Sequence, residues 1–447
     1  MTIRSQTAKL VGKATQKFLK MATSGGSSLP GQVALKIDND ILDYLSKDYH
    51  VVMITGTNGK TLTTAMIVNI LKQKFDYVLT NQTGANLKQG IVSTFLADSA
   101  PKGASKIAVL EIDEATLASV TEVIKPTVIV YTNVFRDQMD RYGEIYTIYQ
   151  MMVDGALKAP EATVIANGDS PIFNSVDMPN PKKYFGFNTT REEDIPLHPN
   201  TDGVLCPKCD SLLHYHLNTY SNLGDYYCPK CGFKRPPLDY SLDKLLELTL
   251  KESKFVVDGH PYEIQIGGRY NIYNALAAYS VGRFFEVNPD QIQAGFYASK
   301  RVFGRQEELS INGKSVLMNL TKNPVGLNEV IELLHYENEP FTLITLLNDN
   351  YADGQDVSWI WDGDYEKFAT VPNLDVYYGG KRPDEMHLRL EVAGIPEERL
   401  HKINSFEDIA TIIGKVKTPK VHILATYTAV LSLRKIFKQQ GFIKEVK

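Results

Sequence analysis

The stretch TGTNGKTLTT (Thr55–Thr64) is the part of the chain that decides the fold. It follows the apolar run VVMIT and leads into a segment with helical spacing, TLTTAMIVNILKQKF. A strand that enters a glycine turn and then a helix is the setting of a phosphate-binding loop, because backbone N–H groups and the helix N-terminus both attract anions. In such a loop, Lys60 neutralises the outer phosphates of a nucleotide and the Thr61 hydroxyl ligates Mg²⁺. A plain glycine turn is the alternative, since the general pattern requires glycine where this chain has Ile54.

Apolar strands alternate with helical segments on the C-terminal side of this loop, which predicts an α/β fold with a parallel sheet covered on both faces. A second, smaller α/β unit with its own strands follows at about Phe303. We predict three regions, namely an N-terminal helical segment (1–47), a central nucleotide-binding domain (48–300) and a C-terminal domain (301–447). The predicted strands are KIAVLEI, TVIVYTNV and ATVIANGD in the central domain and SVLMNL, FTLITLL, LDVYYGG and VHILATY in the C-terminal domain.

The chain has 447 residues, of which 43% are hydrophobic and 22% are charged, and this composition is ordinary for a globular protein. A net charge of −4 gives no global reason to bind nucleic acid or an anionic membrane. No apolar run approaches the ~20 residues that span a bilayer. The N-terminus lacks the apolar core of a signal peptide, so we expect a cytoplasmic protein whose cysteines bind metal instead of forming disulfides.

Two CPKC motifs interrupt the α/β pattern inside an insert at about residues 200–236. Their separation falls in the C-x₂-C-x₁₅₋₂₀-C-x₂-C window, which predicts a tetrahedral zinc site with ligands Cys206, Cys209, Cys228 and Cys231. Four thiolates leave no open position, so the site would be structural. A redox pair is the alternative for either motif. Nearby basic residues leave a nucleic-acid contact open, namely Lys208, Lys230, Lys234 and Arg235.

Five motifs in order resemble those of the Mur ligase family, whose members join amino acids to peptidoglycan precursors through an acyl phosphate. The motifs are TGTNGKT, LEIDEA (110–115), YTNVFRDQMDRYG (131–143), GRYNIYNALAAYSVG (268–282) and FGRQE (303–307). The resemblance implies that ATP and Mg²⁺ are bound by Thr55, Gly56, Thr57, Asn58, Gly59, Lys60, Thr61, Glu111, Asn133, Asn271, Asn274 and Arg305. Glu111 would hold Mg²⁺, and Arg305 would reach ATP.

The chain departs from that family at several positions. The loop begins at Thr55, so we expect this chain to lack the UDP-binding domain that precedes the loop in many Mur ligases. The family's Asp–His pair is Asp137–Gln138 here, and its helix histidine is Tyr270. NLTKNP (319–324) replaces an acidic, histidine-bearing segment. The metal arrangement or the incoming nucleophile has therefore changed.

The segment NDNYADGQDVSWIWDGD (348–364) holds both tryptophans and several aspartates. Together with the cysteine insert, it makes the chain resemble the MurT family, the synthetase subunits of lipid II isoglutaminyl synthase, which pair with a glutamine amidotransferase subunit, GatD. The resemblance implies that Asp356 completes a catalytic triad on that partner, with Asp349 and Asp353 as weaker candidates. We expect Trp359 and Trp361 to alternate in a strand as interface anchors. Aspartate-rich turns with tryptophans in the core are the alternative.

The resemblance implies a function for the whole chain. The enzyme would use ATP to amidate the D-glutamate α-carboxylate of the lipid II stem peptide, with ammonia supplied by the partner glutaminase. Two alternatives stay open. One is a self-sufficient Mur-like or folylpolyglutamate-synthase-like amino-acid ligase, and the other is a zinc-ribbon nucleic-acid-binding protein with a degenerate ATP site.

A basic helix is predicted at residues 5–22, ahead of a loop at Gly25–Gly31. Its lysines are Lys9, Lys13, Lys17 and Lys20, and its apolar face is Leu10, Val11, Ala14, Phe18 and Met21. This helix either packs on the domain by its apolar face or lies near the inner membrane surface where lipid II resides.

Overall fold

The main feature of the fold is a nine-stranded sheet, and β1 (His50–Thr55) is its first strand along the chain. A computed structural model describes residues 3–22, 28–81, 85–136, 144–189, 203–299 and 306–443. Within them the spatial order of the sheet is β11-β10-β9-β6-β5-β4-β1-β3-β2. The strands after β1 are β2 (Tyr77–Thr80), β3 (Lys106–Glu111), β4 (Val128–Tyr131), β5 (Thr163–Asn167), β6 (Lys182–Phe187), β9 (Tyr240–Leu248), β10 (Ser253–Val257) and β11 (His260–Ile264). In this spatial order every neighbouring pair from β2 to β9 is parallel, whereas the β9–β10 and β10–β11 pairs are antiparallel, so β10 alone runs against the other strands.

Helices cover both faces of this sheet, because its central strands are apolar on both sides. The helices are α2 (Leu29–Ile37), α3 (Ile41–Ser46), α4 (Lys60–Leu71), α5 (Lys88–Leu96), α6 (Glu114–Thr121), α7 (Ile145–Leu157), α8 (Arg269–Phe284) and α9 (Pro289–Ala298). One face packs on α4 and the almost wholly buried α8, and the other on α5, α6 and α7. The predicted α/β class is confirmed.

A six-stranded sheet in the order β12-β13-β17-β14-β15-β16 forms the C-terminal unit. Its strands are β12 (Glu307–Ile311), β13 (Lys314–Leu320), β14 (Phe341–Leu347), β15 (Val376–Gly380), β16 (Leu400–Lys402) and β17 (Lys420–Ala425). Its helices are α10 (Pro324–Leu334), α11 (Glu366–Ala369), α12 (Pro383–Val392), α13 (Ile409–Lys415) and α14 (Tyr427–Gln439). All pairs except β12–β13 are parallel. Residues 300–305 lie outside the described residues, so the domain boundary at residue 300 stays a prediction.

The cysteine insert folds as a small antiparallel hairpin of β7 (His214–Tyr220) and β8 (Leu223–Tyr227). Its own core contains the buried rings of Tyr215 and Tyr226. The insert therefore has packing of its own and does not add a strand to the large sheet.

The N-terminal helix α1 (Ile3–Ala22) is present, but its predicted apolar face is not the face that packs. Leu10 and Phe18 are 71% and 70% exposed. The helix packs instead through small side chains such as Ala8 and Gly12, because these let it approach α2 and α5 closely.

The prediction of a strand around the two tryptophans was wrong, since Ser358–Asp362 is a 3₁₀ turn. The fully buried Arg389 of α12 donates through Nε to the Ile360 carbonyl (3.1 Å) and through Nη2 to the Gly363 carbonyl (2.5 Å). These carbonyls are satisfied by a guanidinium and need no neighbouring strand. Trp359 packs partly on the C-terminal core, and Trp361 stays 45% exposed.

Among the described helices, none combines the length and the apolar character needed to cross a bilayer.

Candidate active site

The loop residues lie at the carboxyl edge of the large sheet, where three neighbouring strands end together. In the parallel register, Ile54 is opposite Glu111 and Thr55 is opposite Tyr131. The phosphate loop, the turn after β3 and the segment after β4 therefore meet at one point. Sites of open α/β sheets gather at this edge.

Two glycines of the loop adopt backbone conformations that other residues rarely take. Gly56 has φ +129°, and Gly59, the residue immediately before α4, has φ +84°. A Cβ on Gly56 would lie 2.6 Å from the Asn133 carbonyl oxygen, and one on Gly59 would collide with the Asn274 amide. The loop backbone therefore packs so closely on Asn133 and Asn274 that neither glycine position has room for a side chain.

Asn133 holds the loop in shape. Its Oδ1 accepts from the Asn58 N–H (2.8 Å), its Nδ2 donates to the Asn58 carbonyl (3.0 Å), and its carbonyl accepts from the Thr57 N–H (2.9 Å). Thr132 adds a hydroxyl bond to the Asn58 carbonyl (3.0 Å). The strand predicted to continue to residue 134 ends at Tyr131, because the following residues turn to make these bonds.

Asn271 and Asn274 lie behind the loop on the buried helix α8. Asn274 Oδ1 accepts from the Thr63 hydroxyl (3.2 Å), and its Nδ2 donates to Asn271 Oδ1 (3.3 Å). Asn271 Nδ2 in turn donates to the Gly267 carbonyl (2.6 Å). In this structure both asparagines support the first turn of α4 from below.

Lys60 lies inside the loop between a carbonyl and a carboxylate. Its Nζ donates to the Gly56 carbonyl (2.5 Å) and pairs with Glu114 Oε1 at 2.9 Å. Burial alone would lower the pKa of Lys60, but the carboxylates of Glu114 and Glu111 outweigh burial and raise that pKa above its ordinary value. The lysine is therefore held as a cation at the place where a phosphate needs one.

Glu114 is a site residue that the sequence analysis missed. It is 8% exposed by side chain and also accepts from the Gly56 N–H (3.2 Å). Its position three residues after Glu111 in LEIDEA was the available signal. Glu111, Glu114 and Thr61, the second residue of α4, carry oxygen atoms of the kind that Mg²⁺ prefers, and the predicted metal-binding role of Glu111 and Thr61 stays a prediction. The buried Thr55 hydroxyl has no hydrogen-bond partner within the described part of the chain.

Arg305 and the Asp137–Gln138 pair lie outside the described residues, so their predicted roles stay predictions.

The C-terminal unit reaches the loop through one pair of amides. Asn58 Nδ2 donates to Asn323 Oδ1 (3.3 Å), and Asn323 Nδ2 donates to Asn58 Oδ1 (3.0 Å). Asn323 also caps α10 by accepting from the Gly326 N–H (2.8 Å). The segment NLTKNP, which departs from the family pattern, therefore joins the second sheet to the phosphate loop.

Two adjoining cavities lie between the units. The smaller one, about 60 Å³, is bounded by Asn58 and Asn323, and the larger one, about 330 Å³, by Arg269 and Asp362. Tyr220, Val325 and Glu329 line both cavities. Their shared wall makes a continuous lining from the phosphate loop to the 3₁₀ turn.

Glu329 is an acid in this shared wall with an unusual protonation equilibrium. Burial raises the pKa of Glu329 to about 8, although Arg269 and Lys367 oppose the rise. The carboxyl group is therefore largely protonated at neutral pH in this structure.

The three candidate aspartates of the acidic segment lie in different surroundings. Asp353 is buried and accepts from the Thr428 N–H (2.7 Å) and hydroxyl (2.5 Å), so it anchors α14. Asp349 pairs with Arg382 at 3.3 Å. Asp356 is exposed, and its pKa lies below the ordinary value because the Ser358 N–H donates to it (2.8 Å). An ion pair of Asp362 with Arg136 connects the segment to the central unit.

The four cysteines come together at the open end of the β7–β8 hairpin. Their sulfur atoms all lie within 4.8 Å of one another, which is an arrangement that could hold one metal ion. Each motif turns tightly, with the Asp210 N–H donating to the Cys206 carbonyl (2.9 Å) and the Gly232 N–H to the Cys228 carbonyl (3.0 Å). The two turns direct their sulfurs to a common point, as a tetrahedral site requires.

The closed end of the same hairpin reaches the cavities. Tyr220 and Ser221 line the larger cavity, and the Thr219 hydroxyl is 2.7 Å from the Tyr273 hydroxyl of α8. Arg235, which follows the second cysteine motif, forms ion pairs with Asp169 (2.8 Å) and Asp225 (3.2 Å). The cysteine cluster therefore supports an element that forms part of the cavity wall.

Two family models match, described as Mur ligase middle domain over residues 54–205 and MurT ligase C-terminal over residues 320–430. The "Lipid II isoglutaminyl synthase (glutamine-hydrolyzing) subunit MurT" of Streptococcus pneumoniae is 47% identical over 445 residues, which cover 100% of this chain and 99% of the relative. Its counterpart in Staphylococcus aureus (strain COL) is 34% identical, covering 88% and 89% of the two chains.

Among solved structures, a pseudomurein peptide ligase type C from Methanothermus fervidus superimposes with a TM-score of 0.65 at 21% identity. The match covers 90% of this chain and 81% of that chain. At this identity the likeness concerns the fold alone.

Glu329→Gln should make thermal stability less dependent on pH. The pKa of Glu329 is about 8 in the folded chain and near 4.5 in the unfolded chain. Between these values the unfolded chain loses the proton first, so the acid lowers stability progressively as pH rises. We expect the variant to melt a few degrees above the parent near pH 8 and at the same temperature near pH 4.5. The exposed Glu391→Gln is the control, and a constant difference at all pH values would contradict the assignment.

Cys206→Ser should remove a metal ion and lower stability. Loss of one thiolate breaks a closed four-sulfur site, and metal binding contributes directly to the folding of such sites. We expect stoichiometric zinc in the parent by elemental mass spectrometry, and in the variant a loss of zinc with a melting temperature lower by several degrees. Lys230→Ala, between Cys228 and Cys231, should retain the metal. A chelated chain that stays folded at the parent's melting temperature but is inactive would indicate a catalytic metal instead.

Proposed function

This chain belongs to the MurT family of Mur ligases, and from that membership and its site we propose that it is the synthetase subunit of a lipid II isoglutaminyl synthase. The chain is an ATP-dependent ligase. We assign to it the amidation of the D-glutamate α-carboxylate of the lipid II stem peptide, which yields D-isoglutamine.

The reaction needs a leaving group on the carboxylate. The γ-phosphoryl group of ATP is transferred to a carboxylate oxygen, ADP departs, and an acyl phosphate results. The lone pair of ammonia attacks the acyl carbon, the bond to phosphate breaks, and the nitrogen loses a proton to leave the amide. Most of the acceleration comes from positioning and from neutralising phosphate charge.

The loop and its neighbours are suited to the first step. Backbone N–H groups of the loop and Lys60 would bind the phosphates of ATP. Thr61, Glu111 and Glu114 would hold Mg²⁺, which when bound neutralises charge on the transferred phosphoryl group. The closely packed loop glycines and the pairing of Lys60 with Glu114 support this assignment, because a cation and acidic metal ligands already lie side by side at the loop.

The observation that carries the proposal is the continuous cavity lining between the phosphate loop and the acidic segment. One end is bounded by Asn58 of the loop, and the other by Asp362, six residues after Asp356. A small nucleophile that enters beside the acidic segment would follow this lining to the loop.

The relatives are named as subunits of a glutamine-hydrolyzing enzyme, which implies a complex with a partner. We propose that the partner is a GatD-like glutamine amidotransferase. A glutaminase needs a cysteine, a histidine and an orienting carboxylate. All four cysteines of this chain lie in one cluster, so the nucleophile belongs to the partner. Asp356 is exposed and held in its charged form, which suits an acid that orients a partner's histidine.

The remaining assignments concern the metal cluster and the location. We propose zinc for the four cysteines, with a structural role in holding the hairpin against the cavity. Lipid II is a membrane lipid, so the enzyme would work at the cytoplasmic face of the membrane. The alternative of a nucleic-acid-binding protein is not supported, since family membership and the built phosphate loop both favour a ligase.

Lys60→Ala should reduce amidation by roughly 10²-fold or more, because a cation that neutralises phosphate charge is lost. Release of ADP and formation of the amide would be followed with detergent-solubilised lipid II, ATP and ammonium. Lys72→Ala, at the exposed far end of α4, is the control and should be fully active. Retained activity of Lys60→Ala would rule out the assigned ATP site. Turnover that requires an added amino acid and not ammonium would favour the amino-acid ligase.

Asp356→Asn should separate the two sources of nitrogen. In the complex with the glutaminase, glutamine-dependent amidation should be lost, while ammonium-dependent amidation should stay near the parent's rate. The neutral amide cannot stabilise an imidazolium on the partner, but the phosphate loop is untouched. The exposed Asp408→Asn should keep both activities. Loss of both in Asp356→Asn, or loss of only the glutamine-dependent activity in Asp349→Asn, would remove the role from Asp356.

A further inference from the structure

The outward face of α1 is a surface for which the proposed chemistry has no use. Ile3, Leu10 and Phe18 are 85%, 71% and 70% exposed. At about 3.6 residues per turn they fall, with the exposed Ala14, along one stripe of the helix. Isolated exposed apolar residues are normal, but an aligned row on a single helix marks an interaction surface.

The packing of α1 fixes this stripe in its outward direction. On the opposite face, the Ser5 hydroxyl donates to Asp38 Oδ2 (2.6 Å). A Cβ on Gly12 would lie 2.6 Å from a methyl carbon of Leu96 and 3.3 Å from Ala34, so the helix approaches α2 and α5 as closely as glycine allows. Rolling the helix to bury Leu10 and Phe18 would break these contacts.

The charges of α1 are all of one sign. Its twenty residues, IRSQTAKLVGKATQKFLKMA, contain no aspartate or glutamate. Lys13 and Lys17 are exposed immediately beside the apolar stripe, and within the described residues neither forms an ion pair. Lys9 follows on the same flank with its ammonium 5.2 Å from the Tyr44 ring centroid. The helix therefore presents an apolar row bordered by a basic row.

We propose that α1 docks the enzyme on an anionic lipid surface. Leu10 and Phe18 enter the boundary between headgroups and acyl chains, while Lys13 and Lys17 bind the headgroup phosphates. A basic, amphipathic helix with exposed bulky apolar side chains is typical of helices that lie in the membrane interface. A protein partner fits less well, because lysine is depleted at protein interfaces. The inference rests on the proposed function only in that a lipid-linked substrate gives the contact a purpose.

Vesicle binding tests the docking without ATP or substrate. The full chain, alone and with its glutaminase, is centrifuged with vesicles of equal parts phosphatidylglycerol and phosphatidylcholine, and with vesicles of phosphatidylcholine alone. We expect binding to the anionic vesicles only, weakened by added salt because headgroup charges are screened. K13Q/K17Q should bind roughly 10- to 30-fold more weakly, and L10Q/F18Q should lose most of the binding. L388Q/V392Q, an exposed apolar pair on α12, is the matched control and should bind like the parent.

Three results would overturn the docking proposal. The first is that the parent chain fails to bind anionic vesicles, and the second is that L10Q/F18Q binds them as well as the parent. The third is that L10Q/F18Q still binds vesicles but loses the glutaminase or changes the mass of the protein particle in solution. The last result would make the stripe a protein interface. Ligase activity on detergent-solubilised substrate is measured in parallel. Activity without vesicle binding contradicts only the docking, and vesicle binding without activity contradicts only the proposed function.

Discussion

Asn58 is the residue on which the geometry of the site depends. Its backbone N–H and carbonyl are both held by the amide of Asn133, and its side chain exchanges hydrogen bonds with Asn323. The first set fixes the loop to the strand edge, and the second brings the C-terminal unit over it. Amides in such a position need hydrogen-bond partners, because each donor or acceptor left unpaired away from water lowers the free energy of unfolding by about 1–3 kcal/mol. The loop is therefore held in one conformation by partners from two different sheets.

Two buried cations, Lys60 and Arg389, are held by partners from other elements of the chain. Lys60 is buried, and it stays a cation because Glu111 and Glu114 surround it. Arg389 is buried as well, and its Nε and Nη2 groups donate to carbonyls in and just after the 3₁₀ turn and to Glu366 (2.8 Å). The first arrangement prepares a place for phosphate and metal, and the second shapes the surface that carries Asp356. Removing either cation would leave buried acceptors without partners.

The cysteine insert and the acidic segment both contribute residues to the cavity between the units. The hairpin held by the cysteine cluster extends from that cluster to the cavity, where Tyr220 forms part of the wall. The acidic segment lies at the opposite end of the same lining, with Asp362 tied to Arg136 of the central unit. A subunit that activates a carboxylate but has no nucleophilic cysteine outside the cluster needs ammonia from elsewhere. The cavity is consistent with the proposal that a partner subunit supplies this ammonia.

The sequence by itself determined the α/β class, the phosphate loop and the four-cysteine cluster, because each depends on residue types at short, fixed spacing. Only the tertiary structure decided which distant residues act together. Glu114 became a partner of Lys60 because β3 lies beside β1, and the tryptophan segment became a 3₁₀ turn because Arg389 from α12 supplies its hydrogen bonds. The apolar face of α1 was visible in the sequence, but close packing at Gly12 turned it outward. Periodicity shows that a helix has an apolar face, whereas long-range packing decides whether that face is buried.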